Sequence, residues 1–262
     1  MGNVEGTSGH ETGEQEANSK ALTAVQAALT WAYEAALNGI PGIPLGSIPG
    51  LGLGDTPNFG TLDDLVDSYL TSGVEAEDAI DSLVNWQIGK AAAAGFITNL
   101  GGILTLPVAI PANLASVLFI QFRVIAGIAK LRGYDVHSDQ VKTLCVACLA
   151  GSAASDILKD VGIQIGTKLS QTAIKQIAGS TLVSINQAVG FRLLTKAGQN
   201  GVINISKVIP FIGGFIGGAF DAITTSIIAQ AAKSVFTPLT PEAHNDASDA
   251  DEITDTQPFP SR

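Results

Sequence analysis

Two cysteines and three histidines in 262 residues leave little material for a disulfide framework or a metal centre. Aromatic residues make up only 6% of the chain and charged residues 15%, against about 25% charged in a typical soluble domain. The scarcity of aromatics removes the stacking platforms that nucleic-acid binding uses, and both acidic tails would repel phosphate, so nucleic acid is not an expected partner. The first twenty residues have neither a basic run nor an apolar run, so no secretory signal peptide is expected. With so few cysteines, the expected setting is a reducing cytoplasm. The opening "MGNVEG" places Gly6 where an acylation signal wants Ser or Thr. Walker, HExxH, GxSxG and DxDxDG patterns are all missing, so the chain shows no catalytic constellation and calls for no cofactor or metal.

What is present is unevenly spread. Residues 1–20 carry four acids and one Lys, and residues 238–262 carry six acids and one Arg. Residues 21–81 hold nine acids and no Lys or Arg. Residues 82–237 hold twelve Lys/Arg against five Asp/Glu, a local net charge of about +7. The basic two-thirds reads either as the wet faces of helices or as a surface for an anionic membrane or a membrane protein. The acids from Asp63 to Asp81 read as solvated helix faces, with divalent-metal binding as the other reading.

The pattern is helical throughout, and the expected fold is an all-α bundle of about eight helices. Residues 1–19 and 238–262 are expected to be disordered acidic tails around one domain over 20–237. Ala21–Leu37 is an Ala-rich helix. Asn38–Gly60, with seven Gly and four Pro, is an apolar loop, and it lacks the GK[ST] ending that would cradle phosphate. Thr61 is an N-cap with Asp63 and Asp64 in the first turn. Ala76, Ile80, Leu83 and Val84 share one helical face. Lys130, Arg132 and Gly133 form a helix ending, Ser138 caps a helix expected to run to Val161, and further helices cover Lys168–Ala178, Thr181–Lys196 and Ser206–Phe236.

No charged side chain occurs from Ala91 to Phe122. Pro107 and Pro111 divide that stretch, because each removes a backbone donor and clashes with the preceding turn. The upstream arm is about 24 Å long as helix, short of the ~30 Å hydrocarbon core of a bilayer. Continuing the downstream arm to Ala129 would put Arg123 near the centre of a span, at about 2.5–3.5 kcal/mol. A helical hairpin turning at Pro107 and Pro111 fits better, covered either by protein or by a bilayer surface. A second apolar stretch, Val208–Ala232, contains Gly213/Gly217 and Gly214/Gly218 at the spacing that lets helices pack closely. Its single charge, Asp221, is expected to pair with Arg123.

"CVAC", Cys145 to Cys148, reads as small core residues inside an apolar helix, since a redox motif wants a strand–helix context. Gln121 reads as a core amide and His137 as an exposed residue beside the cap.

The segment "WQIGKAAAAGFITNLGGILTLPVAIPANLASVLFIQFRVIAGIAKLRGYD", Trp86 to Asp135, resembles the bacterial EcsC protein family. The resemblance continues through "SDQVKTLCVACLAG", "VGFRLLTKAG" and "KVIPFIGGFIGGAFDA", spanning roughly residues 20–236. It implies a helical accessory protein associated with the inner membrane. The family is named for a protein encoded beside an ABC exporter implicated in secretion, and it brings no catalytic residues with it. The expected function is therefore a non-enzymatic accessory or interaction protein peripheral to the membrane. The alternative is a soluble bundle holding a lipid or other apolar ligand in an internal pocket.

Overall fold

The computed structural model describes residues 8–40, 59–70, 73–92, 112–163, 171–197 and 218–239. Among them are nine α-helices and no strand, so the fold is an all-α bundle. The helices are α1 Ser8–Asn38, α2 Leu62–Asp67, α3 Ala76–Ala92, α4 Ala112–Leu131, α5 Asp139–Cys148, α6 Ala154–Asp160, α7 Gln171–Lys175, α8 Gly179–Ala197 and α9 Gly218–Val235.

The bundle is built around α4. Every residue from Leu118 to Ala129 is buried, Gln121 and Arg123 included. α1, α2, α3, α5 and α9 all pack against it. A helix surrounded on all sides can be apolar all round, which is why this one resembles a membrane segment in the sequence. Among the described residues, no helix is long and apolar enough to cross a membrane.

α1 shows how the pattern makes the contact. Ala28, Leu29, Ala32, Tyr33, Ala36 and Leu37 are buried at three- and four-residue spacing, and the Tyr33 ring meets Phe122 edge-on at 5.2 Å. The helix starts at Ser8, earlier than Ala21, and so takes in residues assigned to a tail by composition. Good helix formers (Glu11, Glu14, Gln15, Glu16, Lys20) and an i,i+4 pair of 2.7 Å between Lys20 and Glu16 favour the extension. Residues 1–7 and 240–262 lie outside the described residues, as does the Pro107/Pro111 turn.

Two local expectations are met in detail. Thr61 and Asp64 form a reciprocal capping box: the Thr61 hydroxyl accepts from Asp64 N–H at 3.1 Å, and Asp64 Oδ2 accepts from Thr61 N–H at 2.9 Å. Ser138 Oγ accepts from Val141 N–H at 3.3 Å and caps α5.

One expectation fails. The single helix read from Ser138 to Val161 is broken after Cys148 into a 3-10 turn, Gly151–Ala153, and then α6. Gly151 sits at φ +61°, and a Cβ there would lie 3.0 Å from Ile227 Cγ2. The break therefore occurs where α9 crosses, at a position that suits only glycine.

Candidate functional site

Part of the charge asymmetry of the sequence is matched across the fold. Four acids of the first third reach across to four cations of the remainder: Asp63 to Lys130 at 2.7 Å, Glu77 to Arg132 at 2.8 Å, Glu34 to Lys142 at 2.6 Å and Asp81 to Lys233 at 2.5 Å. The four acids keep 51–66% of their side-chain surface exposed, so they lie on solvated helix faces and pair across them. No cluster of three or more His, Cys, Asp or Glu suited to a metal occurs among the described residues. Four of the twelve cations of residues 82–237 are engaged in these pairs.

Three of these pairs mark one end of the bundle, where the start of α3 meets the C-terminal ends of α4 and α9. Arg132 is its keystone. Its Nε and Nη2 form a fork on Glu77 at 2.9 and 2.8 Å, while Nη1 donates to the carbonyls of Lys233, at 2.6 Å, and Phe236. Those carbonyls belong to the end of α9, where the helix dipole attracts a cation. Tyr134 adds a hydrogen bond from its hydroxyl to Thr237 O at 2.7 Å.

The opposite end is different. By the same helix directions, the C-terminus of α3 at Ala92, the N-terminus of α4 at Ala112 and the N-terminus of α9 at Gly218 gather there. Residues 93–111 join the first two and carry no charge; residues 208–217, leading into α9, carry none either. Ile40 and Phe59, the residues that flank a third apolar segment, 41–58, meet beside α4. The neck of that segment is the Ile40–Phe59 bridge, with backbone hydrogen bonds of 2.8 and 2.9 Å. Gly39 makes the neck possible: at φ +78°, a Cβ would fall 2.3 Å from Phe59 O. The Phe59 ring packs edge-on against Phe119 at 5.4 Å.

Arg123 secures this neck. Its Nη1 donates to Gly60 O at 2.6 Å and Nη2 to Thr61 O at 3.5 Å, and the guanidinium lies 5.5 Å from the centre of the Phe119 ring. Burial lowers its pKa to about 10, opposed by the nearby Asp64 and Tyr69, so it stays cationic at neutral pH. The partners shown are therefore main-chain carbonyls. Side-chain chemistry in the sequence pointed instead to Asp221, whose side chain lies outside the described ones. Of the expected packing glycines, Gly218 opens α9, and Gly213, Gly214 and Gly217 lie outside the described residues. Close helix approach is visible elsewhere: a Cβ on Gly127 of α4 would lie 2.8 Å from Leu83 Cδ1 of α3. Gly127 was legible only as a small residue within an apolar run.

Cys145 and Cys148 are fully buried free thiols in α5. Burial pushes Cys145 up to about 12 and Cys148 well above its ordinary value, so neither supplies a thiolate at neutral pH. The buried Tyr33 hydroxyl donates to Val136 O at 2.7 Å, and burial raises its pKa far above the usual phenol range. His137 is exposed, and its backbone N–H donates to Asp135 Oδ1 at 3.0 Å. Gln121 is a buried core residue, and no buried side-chain N or O among the described residues lacks a hydrogen-bond partner.

The described residues thus form an all-α helical bundle with ion pairs at one end. The chain belongs to the EcsC protein family, whose model matches residues 61–238. The match starts at the capping Thr61, so α1 lies outside it even though α1 packs along α4. No curated protein and no solved structure matches the chain.

Proposed function

We propose that this EcsC-family protein is a non-enzymatic accessory or interaction module that sits peripherally on the inner face of the bacterial membrane, in the service of export or secretion. One observation carries the reading: the uncharged connections 93–111 and 208–217 attach at the end of the bundle opposite the ion pairs. The neck of segment 41–58, on the same half of α4, adds a third apolar segment whose only charge is Asp55. The attraction is then chiefly hydrophobic, because four of the cations that an anionic membrane would use are already paired.

Co-sedimentation with vesicles tests this. The full chain is mixed with phosphatidylcholine vesicles and, separately, with phosphatidylglycerol/phosphatidylethanolamine vesicles. The expected result is binding to both that persists at about 1 M salt, where the screening length is ~3 Å. A protein that stays in the supernatant with both compositions refutes the membrane reading. Binding that disappears in salt refutes the hydrophobic mechanism. The groove between α1, α5 and α8 mixes aliphatic side chains (Leu29, Val146, Leu182) with polar and charged ones (Gln26, Asp139, Lys142, Asn186), which suits an apolar lipid chain poorly.

A further inference from the structure

Three large apolar side chains stand in solvent between the ion pairs and the opposite end of the bundle. Trp86 on α3 and Ile223 on α9 are each 59% exposed, and Ile227, one turn along α9, is 41% exposed. Contacts at the charged end fix how the two helices run. Asp81 meets Lys233, while Glu77 and the Phe236 carbonyl both meet Arg132. α3 and α9 are therefore antiparallel, and the Asp81–Lys233 pair marks a common level. At 1.5 Å per residue, Trp86 lies about 8 Å beyond that level, Ile227 about 9 Å and Ile223 about 15 Å.

Charge thins out over the same stretch. Lys90 is the only charged residue of α3 from Ser82 to Ala92, Asp221 the only one of α9 from Gly218 to Ala232, and α4 has none from Ala112 to Phe122. On the other side of the rim stand Glu77, Asp78, Asp81, Lys130, Arg132 and Lys233. The bundle is thus amphipathic along its axis. The three apolar residues also lie on different flanks. Trp86 is about 140° around α3 from Asp81, at about 100° per residue, and so turns away from α9. Ile227 borders Gly151 on the far side of α9. Side chains on different flanks at neighbouring depths mark a plane around the bundle, which is the shape of a bilayer surface, whereas a protein partner covers one face. The indole adds chemistry to the geometry: it has a large apolar body and one N–H, a combination suited to the headgroup level.

We propose that Trp86, Ile223 and Ile227 form an interfacial rim on which the bundle stands end-on in one leaflet of a bilayer. Trp86 and Ile227 lie at the headgroup level, Ile223 about 6–7 Å deeper, and the ion-paired end in water; peripheral helices settle at depths of ~5–10 Å. The proposal rests on the membrane reading above and adds its orientation and depth.

The test uses the full chain, whose two tryptophans are Trp31 and Trp86. Trp31→Phe leaves Trp86 as the single fluorophore. On phosphatidylglycerol/phosphatidylethanolamine vesicles its emission should shift to the blue. It should be quenched more by lipids with a nitroxide near the headgroup than by lipids with one at the chain end. A second variant, Trp31→Phe with Trp86→Phe and Ser234→Trp, puts the fluorophore on an exposed position beside Lys233 and should show neither change. Trp86→Asp and Ile223→Asp should each weaken vesicle binding about tenfold. Phe191→Asp is the control. Phe191 is more exposed still, but it follows Gly190, which sits against Leu22 of α1, about 16 Å from Tyr33 on the side away from the loop neck. Its replacement should leave binding unchanged. Far-UV circular dichroism reports whether each variant is folded. A chain that does not sediment with the vesicles removes the membrane reading and the rim with it. A chain that sediments with Trp86 unquenched, with Ser234→Trp quenched equally, or with Phe191→Asp as damaging as Trp86→Asp overturns the rim and leaves the membrane reading standing.

Discussion

Arg132→Ala removes the most heavily used side chain in the described bundle. The side chain is 7% exposed, and from the turn just after α4 it holds α3 through Glu77 and the end of α9 through the carbonyls of Lys233 and Phe236. A hydrogen bond to a charged group contributes about 1.5–3 kcal/mol. Breaking a buried ion pair costs about 3–5 kcal/mol when the abandoned partner is buried. Glu77 is 53% exposed, however, so water replaces most of what it loses, and its share falls to about 0–1 kcal/mol. The main loss is therefore the two α9 carbonyls, left without a donor at a helix end packed into the core. Together these terms give a destabilisation of about 2–4 kcal/mol. At about 2–4 °C per kcal/mol for a domain of this size, the expected fall in Tm is about 4–16 °C. Urea unfolding followed by far-UV circular dichroism, with Cm and m fitted separately, measures it. Two further variants separate the terms. Arg132→Lys keeps the charge but loses the planar fork, and should fall between wild type and Arg132→Ala. Glu77→Gln leaves the carbonyl contacts in place and should cost less than about 1 kcal/mol. An Arg132→Ala loss no larger than that of Glu77→Gln would refute the reasoning, because the α9 carbonyls would then contribute nothing.

Two other predictions concern single groups. Cys145 and Cys148 should resist an aromatic disulfide reagent at pH 8 in the native protein and react fully in denaturant; fast native reaction would contradict their burial. Asp64 has a pKa below the ordinary carboxylate value, because the Thr61 hydroxyl and backbone N–H both donate to it. Its contribution to stability is therefore present above its unfolded pKa and lost as the pH falls through the lower folded pKa. Thr61→Ala should raise the Asp64 pKa, read by carboxyl NMR titration, and cost about 1 kcal/mol; an unmoved pKa would remove the hydroxyl from the explanation.

The sequence by itself determined the local rules. Thr61, Ser138 and Gly133 act as helix punctuation because cap chemistry is decided within a few residues of chain. The all-α class followed from three- and four-residue periodicity, and the coreward cysteines from their apolar surroundings in α5. The tertiary structure alone decided what covers α4. A mostly apolar helix with one mid-helix Arg says little about its neighbours, and packing by α1, α2, α3, α5 and α9 shows that they are protein. It also decided where the charges go. An excess of acids in residues 21–81 and of bases in 82–237 carries no record of which side chains meet, since those partners are 55 to 152 residues apart in the best-placed pairs. Arg123 shows the limit most clearly. Its partners among the described residues are the carbonyls of Gly60 and Thr61, and backbone acceptors are the same at every position of a chain. Only the folded path of the loop neck brings two of them to that guanidinium.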